Sequence, residues 1–120
     1  MSKPQGVITA KEAIELSDQW TKLRKDANDR AADKPDNRSS WYSLEEMETF
    51  IKMIKEEHKS VNGVRFYLGV DKVSKLDPKG YTTIFMVPTE EINGGNHDII
   101  GANGMDRAGN GNPPQSGCPQ

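Results

Sequence analysis

Apolar residues recur along this chain with two different periods, and the change of period divides it. Ala10, Ala13, Ile14, Leu16, Ser17, Trp20, Leu23 and Ala27 fall on one half of a helical wheel, with Lys, Glu, Asp and Gln on the other. Thr9 precedes this run and Glu12 lies three residues on, a reciprocal capping box that predicts where the helix starts. A second helical stripe follows from Leu44, Met47, Phe50, Ile51, Ile54, His58 and Val61. Ser43 and Glu46 form its capping box, Tyr42 is spaced to staple onto Met47, and Asn62-Gly63 predicts a left-handed stop. Between the two runs, residues 28–40 are polar and carry the turn signal Lys34-Pro35-Asp36-Asn37, which predicts a loop.

After Gly63 the period falls to two. Val64, Phe66, Leu68 and Val70 alternate with Arg65, Tyr67 and Gly69; Thr82, Ile84 and Met86 alternate with Thr83, Phe85 and Val87. Asp77-Pro78-Lys79-Gly80 predicts a turn at the end of the connection, so the two strands should pair antiparallel. Pro88 predicts the end of the second strand, or an edge position for it. A two-stranded ribbon is marginal in water; a further strand must come from Gly6-Val7-Ile8, from a second copy or, the preferred reading, from His97–Ile100 after a reversal at Asn93-Gly94-Gly95-Asn96. The pattern therefore predicts an α+β fold: two helices packed on one face of a small, mainly antiparallel sheet, the second through Met47, Ile51 and Ile54. Residues 1–6 read as a polar lead, 7–100 as a single domain, and 101–120 as a flexible Gly/Asn/Pro-rich tail, a docking arm at most.

Composition narrows the function classes. Of 120 residues 33% are hydrophobic and 28% charged, and the net charge is −2, so no overall field draws in nucleic acid or an anionic membrane. No apolar run approaches the ~18–20 residues that span a bilayer, and the N-terminus has no hydrophobic region of signal-peptide type. With Cys118 the only cysteine, an internal disulfide is impossible, and the expected compartment is the cytoplasm.

Candidate chemistry is sparse. His58 lies on the apolar stripe near a helix C-terminus, where the helix dipole favours a boundary histidine. His58 and His97 with no Cys cluster predict no metal site, and no glycine pattern has phosphate-binding spacing, so no cofactor is expected. Cys118 has no neighbouring His or Lys to activate it. If Phe66, Leu68, Ile84 and Met86 face the helices, then Arg65, Tyr67, Thr83, Phe85 and Val87 are left on the other sheet face. Arg and aromatic residues of that kind anchor protein interfaces; coverage by the tail or by Trp41 is the competing reading.

The segments Arg38-Ser-Ser-Trp-Tyr-Ser-Leu-Glu-Glu, Gly63-Val-Arg-Phe-Tyr-Leu-Gly and Gly80-Tyr-Thr-Thr-Ile-Phe-Met-Val-Pro-Thr resemble a group of short uncharacterised bacterial proteins over roughly residues 8–100. The resemblance implies a small bacterial α+β protein and transfers no catalytic residue. Two functions follow from the residues themselves. The leading one is a non-enzymatic protein-binding or adaptor module, meeting a protein partner or a second copy through Arg65, Tyr67, Thr83, Phe85 and Val87. The alternative is a small enzyme or anion-binding protein with a cleft near Arg38, His58 and Arg65.

Overall fold

A computed structural model describes residues 3–72 and 78–106. The fold is α+β. A helical run at the N-terminus comprises α1 (Ala10–Trp20), a π-helical turn (Thr21–Lys25) and α2 (Asp26–Ala32). After α3 (Leu44–Glu57) come β1 (Val61–Asp71), β2 (Tyr81–Ile92) and β3 (Gly95–Asp98), an antiparallel sheet in the order β1-β2-β3. None of the described helices is long and apolar enough to cross a membrane.

Both capping boxes form. Thr9 Oγ1 accepts from the Glu12 amide at 3.1 Å and Glu12 Oε1 from the Thr9 amide at 3.0 Å. At α3, Ser43 Oγ accepts from Glu46 N at 2.9 Å and Glu46 Oε1 from Ser43 N at 3.3 Å. Each pair satisfies amides that the first helical turn leaves without partners.

Three boundaries differ from the sequence reading. The first helical run continues to Ala32 instead of yielding to a loop at Asn28. It stops where Asp33 turns left-handed (φ 62°), just ahead of Pro35, whose ring cannot continue a helix. α3 ends at Glu57, earlier than the stop expected at Asn62-Gly63, because His58 is already extended (φ −136°). Gly63 takes no left-handed conformation; Asn62 instead forms a bulge between the pairs Val61↔Glu90 and Gly63↔Thr89. The third strand begins two residues earlier than His97, since Asn93 (φ 51°) and Gly94 (φ 82°) close a two-residue hairpin with positive φ at both positions.

Pro88 neither ends β2 nor lies at an edge: β2 is the central strand and runs on to Ile92. Alternate residues of a strand aim their N–H and C=O to opposite sides. Met86 exchanges two bonds with Met105 (3.0 and 2.9 Å), and the Pro88 carbonyl accepts from Ile99 N at 3.0 Å. Both therefore point away from β1. The proline nitrogen lies on that side too, opposite Ile99 at the end of the β3 ladder, and the Ile99 carbonyl it cannot serve accepts instead from Ala102 N at 3.2 Å.

The same accounting explains the polar segment before α3. Thr82 and Ile84 also point away from β1, at the end of β2 that β3 does not reach. Side chains seal them. Asp36 Oδ1 accepts from Thr82 N at 2.7 Å and Asn37 Nδ2 donates to Thr82 O at 3.3 Å. Ser40 Oγ accepts from Ile84 N at 3.1 Å and the Tyr42 hydroxyl donates to Ile84 O at 2.7 Å. Asp36 and Asn37 are buried. Residues 36–42 thus substitute for a missing strand by side-chain bonds, which satisfies the obligatory main-chain groups of the central strand.

The core lies between α3 and β2: Phe50, Ile54 and Met86 are buried, with Tyr42, Met47, Met53, Val61, Val64 and Met105 packed around them. Each such side chain contributes roughly 1.5–3 kcal/mol when fully buried. Ile51, expected in this contact, is 39% exposed. Met105 belongs to the core although the sequence places it in the tail; the rest of that tail from Arg107, with Cys118, lies outside the described residues, as does Asp77 of the expected turn. No residue of α1 is buried. α1 is held from one side by Arg38, whose guanidinium donates to Ser17 O and Oγ (both 3.0 Å) and stacks 4.6 Å from the Trp20 ring.

Candidate functional site

The sheet face opposite α3 carries Arg65 and Tyr67 from β1, Thr83, Phe85 and Val87 from β2, and Asp98 from β3. Strand alternation places them there: Arg65 pairs with Val87, Tyr67 with Phe85, and Thr89 with Asp98. No helix covers this face among the described residues, and Trp41, a possible cover, is itself exposed.

A polar clasp spans all three strands. Arg65 Nη1 donates to Asp98 Oδ1 at 2.7 Å and Arg65 Nη2 to the Asn96 carbonyl at 2.8 Å. The Tyr67 hydroxyl donates to Asp98 Oδ2 at 2.5 Å. The Tyr67 hydrogen bond, then Arg65, hold the Asp98 carboxyl below the usual carboxylate range. The same bond to Asp98 raises the Tyr67 hydroxyl above its ordinary value, and Asp98 likewise raises Arg65. Tyr67 in turn stacks on Phe85, ring centroids 5.7 Å apart at 21°. Both ends of the Tyr67 side chain are therefore fixed.

Of the five face residues expected from sequence, Arg65, Tyr67, Phe85 and Val87 keep solvent access, whereas Thr83 is buried. Its hydroxyl donates to Asp106 Oδ1 at 2.6 Å. The Gly104–Asp106 segment thereby makes one wall of an open groove of about 410 Å³, with Phe85, Val87 and Gly69 along its floor. Gly104 permits that approach: a Cβ there would stand 2.6 Å from the Met86 carbonyl oxygen. Sequence reasoning missed Asp98 and Asp106. Only the strand register reveals that Asp98 lies within reach of a residue 33 positions away.

A second concavity, about 600 Å³, lies between the start of α3 and Met105, with Phe50 and Met53 in its lining and Glu45 and Glu46 at the same end of the helix. A third of about 180 Å³ separates α2 from Gly80 and Thr82. None of these three includes Arg38, His58 or Arg65. Arg38 is engaged with α1, His58 ends α3 with its amide on the Ile54 carbonyl (2.9 Å), and Arg65 belongs to the clasp. The described concavities thus give these three side chains no common site.

No family model, curated protein or solved structure matches this chain.

Proposed function

We propose that this chain is a non-enzymatic protein-binding module of the cytoplasm that receives an apolar or aromatic side chain of a protein partner on its open sheet face. The observation that carries the reading is the preset Tyr67. Its ring is stacked on Phe85 and its hydroxyl is tied to Asp98, beside a groove floored by Phe85 and Val87 that no helix covers among the described residues. An aromatic side chain already ordered in the free protein contributes contact area with little further loss of conformational freedom. Arg65 is paired with Asp98, so among the described residues the face offers no unpaired cation and favours an apolar ligand group over an anionic one.

The test is a photocrosslinking residue placed at Val87 in the full chain inside cells, with Lys52 on the exposed side of α3 as the control position. The expected outcome is a discrete adduct at Val87, different in mass from two copies of this chain and absent at Lys52. The purified partner should then bind Phe85→Ala at least about tenfold more weakly than wild type. Identical adducts from both positions, or none from Val87, would contradict the proposal.

A further inference from the structure

Among the described residues, β1 has a long unpaired edge. Its residues 65, 67, 69 and 71 face β2, opposite Val87, Phe85, Thr83 and Tyr81. The main-chain groups of Val64, Phe66, Leu68 and Val70 therefore point outward, by the alternation that Met86 and Pro88 establish across the ladder. The side chains of these four lie on the α3 side of the sheet, yet Phe66, Leu68 and Val70 are 54%, 76% and 62% exposed. Proteins that keep such an edge single shorten it, bulge it, or place Lys or Pro on it. Here the regular ladder runs from Gly63 to Asp71 with neither Lys nor Pro, while β3 at the opposite edge has four residues. An edge of this length, with apolar residues at every outward position, is suited to another strand.

We infer that β1 pairs antiparallel with β1 of a second copy about a two-fold axis beside Tyr67, joining two three-stranded sheets into one. The occupant is identified by self-complementarity. The bulge at Asn62 and the end of the strand at Asp71 bound a window whose midpoint is Tyr67. Centred there, Phe66 meets the partner's Leu68 and Val64 meets the partner's Val70, apolar against apolar on the α3 side. On the other side Arg65 meets the partner's Gly69, and no like charges face each other. Four outward residue pairs, each exchanging two bonds, supply about eight main-chain hydrogen bonds. The Tyr67 hydroxyl reaches Asp98 on β3, so the side chain leans over β2 and away from the new seam. The contact is isologous and closes at two copies, which leaves no further long edge for extension. The inference stands apart from what the open face binds, although it would set two such faces side by side.

Sedimentation velocity of the full chain across a concentration series is the first arm, with a monomer mass of 13.3 kDa as the baseline. The expected result is a reversible species of about twice that mass. Leu68→Lys, at a site exposed in the single copy, should keep the far-UV circular dichroism. It should weaken self-association about a hundredfold, since two Leu68 side chains are lost per dimer. The second arm uses Cys118→Ser as background. Oxidised Tyr67→Cys should form a covalent dimer, because directly opposed residues of a non-hydrogen-bonded pair approach to about 4.5 Å between Cα atoms, while Leu68→Cys should not. A monomer at every concentration overturns the inference. So does a dimer unaffected by Leu68→Lys, or a crosslink at Leu68→Cys in place of Tyr67→Cys.

Discussion

Replacing Asp36 with Ala should be among the most damaging single changes in the chain, although Asp36 touches neither the hydrophobic cluster nor the open face. Its carboxylate accepts from Thr82 N at 2.7 Å, Thr82 Oγ1 at 2.5 Å and Asn37 N at 2.9 Å, and the residue is 5% exposed. Alanine leaves these donors without an acceptor. A buried donor without a partner costs about 1–3 kcal/mol. The Thr82 hydroxyl can rotate and the space vacated by the carboxylate can admit water, so the net loss works out at about 2–4 kcal/mol. Set against the ~5–15 kcal/mol of a small domain, that is a large fraction of its stability. Domains of 60–100 residues lose roughly 4–8 °C of Tm per kcal/mol, so the melt should fall by about 8–32 °C. Asp36→Asn keeps one oxygen for Thr82 N and presents an amide that the Thr82 hydroxyl can accept from; its loss should be nearer 1 kcal/mol. Urea unfolding followed by circular dichroism at 222 nm gives both values. If Asp36→Ala stays within about 0.5 kcal/mol of wild type, the range of ordinary surface changes, side chains do not seal the central strand.

Gly80 has φ +64° and a Cβ there would stand 2.4 Å from the Asp71 carbonyl oxygen, whereas Gly94 at φ +82° has open space around it. Gly80→Ala should therefore cost more than the ~1 kcal/mol of left-handed strain expected for Gly94→Ala, and equal losses in parallel urea titrations would show that the close approach is not rigid. Met86 is fully buried against the α3 cluster, so Met86→Ala should cost about 2–5 kcal/mol in the same assay; a loss under 1 kcal/mol would mean that α3 is not seated there. The raised Tyr67 hydroxyl favours its neutral form in the folded state. Its contribution is complete below the ordinary value of 10.0 and is lost as pH rises through the higher folded value. Asp98, depressed from 3.8, contributes above that pH and loses its contribution as pH falls through the lower folded value. Absorbance titration at 295 nm should show Tyr67 ionising late, its step moving back toward 10.0 in Asp98→Ala; an unchanged curve would deny the clasp.

The sequence carried the elements whose signals are local. Both capping boxes, the helix that starts at Leu44 and the two long alternating strands form where their spacing predicts, because each is set by residues within a few positions of one another, although His58 and Val61 of the expected stripe lie beyond α3. What depends on distant partners was not legible. Whether Pro88 breaks a central strand depends on what its nitrogen meets, and here it lies opposite Ile99, just past the end of β3, where the Ile99 carbonyl is taken by Ala102. Asp36-Asn37 reads locally as a turn signal, yet its side chains satisfy Thr82, 46 positions away from Asp36. The face residues followed from period two alone, but the Asp98 partner required the register of β3, two residues off the expected start. On the first helical run the apolar half-wheel is real in sequence, but among the described residues only Arg38 packs on it at Trp20 while Ile14, Leu16 and Leu23 are all exposed.

Residue-resolved amide hydrogen exchange of β1 and β2, run over a concentration series, tests most directly whether one edge of this sheet is sealed and the other open. The account predicts that Thr82 and Ile84 amides are protected at every concentration, since Asp36 and Ser40 side chains hold them. Val64, Phe66, Leu68 and Val70 amides should exchange freely at the lowest concentration and gain protection together as the chain self-associates. Fast exchange at Thr82 and Ile84, or protection of the four β1 amides that does not change with concentration, would contradict it.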